Sequence, residues 1–234
     1  MFIFAHIFAG ALLGLALWHI TNDRRAIMIC IAGAALPDLI DKPLAFLLPG
    51  VLGSGRTIFH SLGSIGIILI LIFIFFQSSS RLPGLGMAGS MALHQVFDEM
   101  WALPANWFYP LLGPFRGTMI PDYVGTYFWF EITNPSEWLF MIGTSIVLVK
   151  SYREILPVRQ VTLSDRMKTI ADAFVILIFA GSGLYLVAFG LLSPSGTIIA
   201  PLYNPVTTTM AGLIPLSGAL LMIREKYDNP KKML

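Results

Sequence analysis

His94 and Asp98 are the residues of this 234-residue chain whose type and spacing point most directly to chemistry. They lie four positions apart in "ALHQVFDEMW", within an apolar segment, and this spacing places both side chains on one helix face. An ionisable group in such a segment costs ~2.5 kcal/mol or more on membrane-insertion scales, and such groups tend to be functional. The pair therefore predicts a metal-binding face. The structural alternative is a mutual hydrogen bond that fixes helix packing.

Asp38 and Asp41 form a second candidate pair, at the end of the apolar run in "GAALPDLIDKP". Their spacing of three residues stacks them if the turn stays helical, but Pro37 and Pro43 make a break or a tight turn at least as compatible with the sequence. Both geometries point two carboxylates into one pocket. Either aspartate taken alone would be typical of a solvated acid at a helix end.

Two more histidines, His6 and His60, lie in or beside other apolar segments. The full candidate metal set contains three imidazoles and three carboxylates: His6, Asp38, Asp41, His60, His94 and Asp98. This set is large for one metal and suits two ions that share a bridging carboxylate or water. Mixed nitrogen and oxygen ligands favour zinc or manganese over calcium. The sequence thus predicts one or two divalent metal ions.

A cationic residue precedes the central histidine in "GRTIFHSL". Arg56, close to the start of a helix that Ser61 can cap, is typical of an anion site, so both are predicted to bind substrate and phosphate esters are the expected substrates. Arg56 is also predicted to stabilise developing charge. Glu99, one position off the His94 face, is the candidate for proton transfer. Arg56 by itself would be typical of a loop charge.

The composition indicates an integral membrane protein. Apolar residue types make up 56% of the chain and charged residues 12%, about half of the ~25% that is usual in soluble domains. The mean hydropathy is +0.76. The net charge of +2 is too small to indicate a nucleic-acid partner, and membrane lipid is the expected environment and partner.

The apolar segments predict an all-α polytopic bundle of about seven transmembrane helices. The first 115 residues form a predicted core of four helices that carries the candidate metal residues, residues 116–137 an outer aromatic loop, and residues 138–234 the C-terminal helices and a cytoplasmic tail. The apolar segments lie near residues 2–19, 25–37, 61–77, 84–103, 138–149, 172–192 and 206–223.

Basic residues set the predicted orientation. The connector 150–171 and the C-terminal tail are rich in lysine and arginine, whereas "SPSGTIIAPLYNP" between the last two segments has no charge. The tail is therefore predicted to be cytoplasmic and the N-terminus outside. With one crossing per segment, all six candidate metal residues fall on the outer side. His19 falls at the inner end of the first helix, as an ordinary interfacial histidine does.

The three motifs quoted above, after an N-terminal histidine, resemble those of the membrane-bound metal-dependent hydrolases, also described as LexA-binding, inner-membrane-associated or YdjM-like. The resemblance covers about residues 1–115. It implies a hydrolase of the inner membrane, and it implies that the six candidate metal residues form the metal site. Many members have a threonine where this chain has Phe59. Their second aspartate often follows the first by two residues, whereas Asp41 follows Asp38 by three.

Three functions are compatible with these residues. The first is hydrolysis of a phosphoester or lipid-linked phosphate at the outer face. The second is transport of a divalent cation or proton, since intramembrane histidines and carboxylates also line such pathways. Segments 138–149, 172–192 and 206–223 carry no acid or base in their interiors, which favours a blind pocket. The third, which only the LexA association of the similar family suggests, is a non-catalytic scaffold or regulator, with connector 150–171 as its docking element.

Overall fold

The computed structural model describes residues 3–48, 52, 55–115, 122–152, 165–193 and 203–228, which are helical with connecting turns and contain no strand. The chain divides into two compact units, Met1–Thr144 and Ser145–Leu234. The all-α prediction is therefore confirmed for the described residues.

The first unit contains every candidate site residue, on its helices or on the segments that join them. In chain order the helices are α1 (Ile3–Thr21), α2 (Arg25–Leu47), α3 (Leu62–Phe75), α4 (Ser78–Phe97), the short α5 (Pro104–Trp107), α6 (Tyr123–Thr133) and α7 (Pro135–Tyr152), whose end belongs to the second unit. A 3-10 turn, Met100–Ala102, separates α4 from α5. Helices α1, α2 and α4 pack on one another and form the core of this unit.

Helix α2 continues through both of its prolines, so of the two geometries that the sequence left open the helical one occurs. Proline in a helix interior removes one backbone hydrogen bond and disfavours the helix by ~3 kcal/mol, but packing against neighbouring helices can offset this. The buried face of α2 includes Ala26, Ile27, Cys30 and Ala34, packed in the core. The continued helix places Asp38 and Asp41 on this same buried face.

A close helix contact orients α2 against α4. A Cβ atom on Gly33 would lie 2.4 Å from the backbone oxygen of Met87. Small residues allow this kind of approach between membrane helices, where packing replaces the hydrophobic effect as the driving force. Gly33 is one residue before Ala34, whose carbonyl contacts the site, so the same contact sets the position of that carbonyl.

Helix α4 begins and ends earlier than its apolar segment indicates. It starts at Ser78 and ends at Phe97, so that Asp98 follows the last helical residue and Glu99 turns the chain with a left-handed backbone (φ 54°). The i, i+4 relation between His94 and Asp98 is kept, because the Asp98 amide still donates to the His94 carbonyl (2.9 Å).

The predicted outer aromatic loop contains a helix. The Asp122 carboxylate accepts a hydrogen bond from the Gly125 amide at the start of α6, as capping residues do. Phe128 and Trp129 on α6 are about two-thirds exposed. Residues 116–121 of the predicted loop lie outside the described residues.

The second unit consists of the end of α7 with α8 (Asp165–Leu192) and α9 (Pro205–Asp228). Helices α8 and α9 approach closely, since a Cβ atom on Gly183 would lie 2.8 Å from the Gly212 oxygen. Lys150 and Asp172 form an ion pair between α7 and α8. Part of the sequence used to predict the orientation lies outside the described residues: Arg153, Arg159, Lys231, Lys232 and residues 194–202 of the uncharged stretch.

Three described helical stretches are long and apolar enough to cross a membrane: Ile3–Thr21, Arg166–Leu192 and Pro205–Arg224. Helix α3 is apolar but has only 14 residues, and the usual length of a spanning helix is ~20 residues. These lengths support a membrane protein. The count of about seven spans and the orientation of the termini stay predictions.

We expect Gly33→Ala to destabilise the first unit by about 1–3 kcal/mol, because the added methyl group overlaps the Met87 backbone. Thermal unfolding in detergent measures the change. Gly66→Ala in α3 is the matched control, since a Cβ atom there meets no described atom within 4 Å. Equal unfolding temperatures for both variants would contradict the close contact of α2 with α4.

Candidate metal centre

Four buried side chains from three parts of the first unit converge on one point. Asp38 comes from α2, His60 from the segment before α3, and His94 and Asp98 from the end of α4. Each offers one ligand atom, and these four atoms all lie within 4.8 Å of one another. We call these four residues the metal cluster, because histidine and aspartate arranged in this way could hold a metal ion.

The distances within the metal cluster are those of a small coordination shell. The two histidine Nε2 atoms are 3.1 Å apart. Asp38 Oδ1 lies 3.7 Å from His60 Nε2 and 3.8 Å from His94 Nε2. Asp98 Oδ2 lies 3.6 Å and 4.0 Å from the same two atoms. Ligands at ~2.0–2.1 Å around a tetrahedral zinc ion are separated by about 3.3 Å, so small shifts would fit the four atoms to that geometry.

The hydrogen bonds on the far side of each imidazole fix its tautomer. His94 Nδ1 donates to the carbonyl oxygen of Ala34 at 2.7 Å, because a carbonyl can only accept. His60 Nδ1 donates to Asp41 Oδ2 at 2.8 Å. Both neutral rings therefore present a bare Nε2 lone pair, and the two lone pairs face each other. This arrangement is repulsive unless a proton or a metal ion lies between them.

A second observation also fits a metal ion. Asp38 Oδ1 is buried and has no hydrogen-bond partner among the described residues, which is costly for a carboxylate oxygen. It points at the same two Nε2 atoms, so an ion in the metal cluster would satisfy it. Two bare nitrogens and two carboxylate oxygens form the donor set that zinc binds in proteins.

Asp41 lies beside the metal cluster and supports it. Its carboxylate accepts hydrogen bonds from the backbone amides of Thr57, Phe59 and His60 at 2.9–3.1 Å, and from His60 Nδ1. A carboxylate that orients a metal-binding histidine in this way fixes the ring and raises its basicity. The structure places Asp41 where it can position His60, whereas the sequence predicted it as a direct ligand.

His6 contacts the metal cluster from α1 and lies outside the group of four. Its Nε2 is 3.1 Å from Asp98 Oδ1, and its ring stacks on that of His94 with centroids 3.8 Å apart. Its buried Nδ1 has no hydrogen-bond partner among the described residues. By contrast His19, at the other end of α1, is exposed and stacks on Trp18. The two histidines of α1 are thus in different surroundings, as the sequence predicted.

Two glutamates that the sequence did not single out for the site hold the start of α1. Glu137 Oε2 accepts hydrogen bonds from the amides of Phe4 and Ala5 (3.0 and 3.2 Å), and Glu131 accepts from Ile3 and Phe4 (both 3.3 Å). Carboxylates are favourable at a helix N-terminus. Burial raises the pKa of Glu131, which lies on α6 outside the three candidate spans. These contacts fix the first turn of α1 and hence the position of His6.

Two cations each bind one carboxylate of the metal cluster. Arg56 Nε donates to Asp98 Oδ2 at 3.0 Å, and Lys42 Nζ donates to Asp38 Oδ2 at 2.6 Å. Their side chains are 34% and 25% exposed, so both reach from the buried carboxylates toward the surface. The sequence did not predict a role for Lys42 at the site. Its pairing with Asp38, four residues earlier, requires a helix that continues to Pro43.

Buried amide side chains hold the segment that carries His60. Gln95 Nε2 donates to the carbonyls of Phe59 (3.1 Å) and Ser61 (3.0 Å), and Asn106 Nδ2 donates to the carbonyl of Arg56 (2.7 Å). The segment has no helical hydrogen-bond ladder of its own, so these bonds and those to Asp41 determine its path. Nothing in the local sequence pattern predicts these partners.

The metal cluster lies within the part of the chain that matches a known family. The profile of the YdjM inner membrane protein family matches residues 1–192. The chain belongs to this family. Neither a curated protein nor a solved structure matches the chain. The membership confirms the YdjM-like resemblance and, with the apolar helices, supports a membrane location.

The remaining predicted site residues of this YdjM family member lie close to the metal cluster in sequence. The Ser61 hydroxyl caps α3, since it accepts from the Ser64 amide (3.2 Å) and donates to the Ile58 carbonyl (2.7 Å). Glu99 is half-buried and begins the 3-10 turn after Asp98. Substrate binding by Ser61 and proton transfer by Glu99 stay predictions.

At the metal centre of this YdjM family member, we expect Asp41→Asn to weaken metal binding about 10- to 100-fold, because His60 loses the carboxylate that orients it. Metal bound at saturation should stay unchanged. Chelator competition measures the affinity, and elemental analysis the stoichiometry. Asp38→Asn is the comparison, because it removes an oxygen of the metal cluster itself. If Asp41→Asn abolished binding as fully as Asp38→Asn, Asp41 would be a direct ligand.

Proposed function

We propose that this chain is an integral membrane hydrolase that depends on a divalent metal ion held by Asp38, His60, His94 and Asp98. The observation that carries the proposal is the pair of bare Nε2 atoms 3.1 Å apart, flanked by two carboxylate oxygens. This is a buried arrangement that a cation stabilises. Family membership supports the membrane setting.

Zinc is the ion that best suits the metal cluster, with manganese second. Zinc binds four ligands of mixed nitrogen and oxygen type, whereas manganese favours oxygen-rich octahedral sites. A divalent ion supplies Lewis-acid activation of water and of a phosphoryl oxygen. The Asp98 carboxylate has one oxygen in the metal cluster and the other on His6, so a second ion at His6 is the two-metal alternative.

The protein's own residues supply orientation and proton handling. Asp41 and the Ala34 carbonyl accept the Nδ1 protons of His60 and His94, so that Nε2 is the ligand atom of each neutral ring. His6 lies against Asp98, and its Nδ1 has no hydrogen-bond partner in the described part of the chain, so it can accept a proton from a water molecule at the centre. Glu99 is the second candidate for proton transfer. Arg56 can stabilise charge that develops on a substrate beside Asp98.

The proposed substrate is a phosphoester or a lipid-linked phosphate at the outer face of the membrane. Arg56 and the capped start of α3 supply the type of groups that bind phosphate. A lipid substrate could reach the centre by lateral movement in the leaflet. The outer location rests on the charge bias of the loops.

Single substitutions in the metal cluster test the metal directly. We expect His94→Ala and Asp98→Ala each to lower the bound metal by at least about tenfold at equal free metal, since each removes a ligand atom. Elemental analysis of purified protein measures this. His19→Ala is the matched control on α1 and should retain the wild-type metal content. Full metal content in both cluster variants would remove the proposal.

A paired assay separates hydrolysis from transport. We expect metal-dependent release of phosphate or headgroup from a panel of lipid phosphoesters, lost in His94→Ala and kept in His19→Ala. Proteoliposomes made from the same protein should show no metal flux. Flux without turnover would favour the transport alternative and contradict the hydrolase.

A further inference from the structure

Lys42 has a position at the metal cluster that the proposed reaction does not yet use. Its Nζ lies 2.6 Å from Asp38 Oδ2, while the other oxygen of that carboxylate faces the two histidines. Arg56 binds the second carboxylate, Asp98, through Oδ2, which is also the oxygen that faces the two histidines, while Oδ1 lies on His6. Each carboxylate of the metal cluster is thus paired with a cation that extends toward the surface.

The charges of these groups determine what kind of ligand the loaded centre attracts. Two buried carboxylates, Asp38 and Asp98, are paired with the cations Lys42 and Arg56, and a third, Asp41, is bound to His60. With both metal-binding rings neutral, these five charged groups together carry one excess negative charge, and a divalent ion changes this to one excess positive charge. The Glu131 carboxylate also acts on Lys42 from α6. Without the two cations, the loaded centre would remain negative and repel an anion.

We propose that Lys42 and Arg56 form an anion-binding subsite on the rim of the metal centre, which takes the phosphate group of the substrate. This inference rests on the proposed metal-dependent function and assigns Lys42 a role in substrate binding. The guanidinium suits two phosphate oxygens at once, and the ammonium acts as a compact point charge. Both cations are anchored by buried carboxylates, so they are positioned before the anion arrives.

The subsite predicts that removing the charge of Lys42 lowers the affinity for the anion without lowering the affinity for the metal ion. Lys42 repels a metal ion and shares Asp38 with it, so removing the lysine charge should leave metal affinity unchanged or raise it. The same change should weaken anion binding. A lysine that only stabilised the fold would instead lower both affinities together when it is removed.

The test compares Lys42→Met with Lys150→Met in the full-length protein. Lys150 also forms a lysine–aspartate pair, with Asp172 in the second unit, and is the matched control. Metal affinity is measured by chelator competition. Binding of inorganic phosphate to the zinc-loaded protein is measured by calorimetry in detergent. Short-chain phosphatidic acid in the same detergent forms a second arm, which separates a lipid headgroup from free phosphate as the source of the anion.

We expect Lys42→Met to weaken binding of phosphate, or of phosphatidic acid, by about 10- to 100-fold, the range for loss of a charge-assisted hydrogen bond. Metal stoichiometry should be kept, and Lys150→Met should bind as wild type does. Lys42→Arg preserves the charge and should retain most of the anion affinity. This variant distinguishes loss of the charge from a folding defect in Lys42→Met.

Two results would overturn the subsite while leaving the metal centre intact. One is unchanged anion binding in metal-loaded Lys42→Met. The other is a parallel fall of metal and anion affinity in both Lys42 variants, which would assign Lys42 to the fold. Wild-type protein that binds no metal would instead contradict the proposed function, and with it the positive charge on which the subsite depends.

Discussion

The hydrogen bonds on the two Nδ1 atoms are the interactions on which the rest of the centre depends. The Ala34 carbonyl and the Asp41 carboxylate accept these protons, so the lone pairs of His94 and His60 are directed inward. Each acceptor belongs to α2. The path of that helix through its prolines therefore determines the tautomers of two histidines on other parts of the chain. This dependence explains why a close packing contact at Gly33 matters for chemistry.

The polar network around the centre is built for rigidity. Asp41 gathers the amides of the 57–60 turn, Gln95 binds the carbonyls on either side of His60, and Glu131 and Glu137 hold the first turn of α1. Few of these polar atoms are left without a partner inside an apolar bundle, where an unsatisfied one is costly. Among the described residues, Asp38 Oδ1 and His6 Nδ1 are two of the five buried side-chain atoms without a hydrogen-bond partner, and both lie at the centre.

Much of the centre was predictable from the sequence, because histidines and aspartates are rare in apolar segments and because i, i+4 spacing survives in α4. The pairing of Lys42 with Asp38 was not, since local proline rules favour a break that helix packing overrides. Glu137 was not either, because its contacts with α1 join residues 132 and 133 positions apart and leave no local pattern. The sequence also placed Asp41 correctly at the centre without showing which of its neighbours it binds.

Asp98 contacts more residues of the metal centre than ligation of one metal ion requires. One oxygen binds His6, and the other lies on Arg56 and near both cluster histidines. Effects of substitutions at residues that share a partner do not add. Substitutions at His6, Arg56 and Asp98 are therefore coupled. A change at one of these positions alters which residues are tolerated at the other two. Among the members of this family, we expect these three positions to covary.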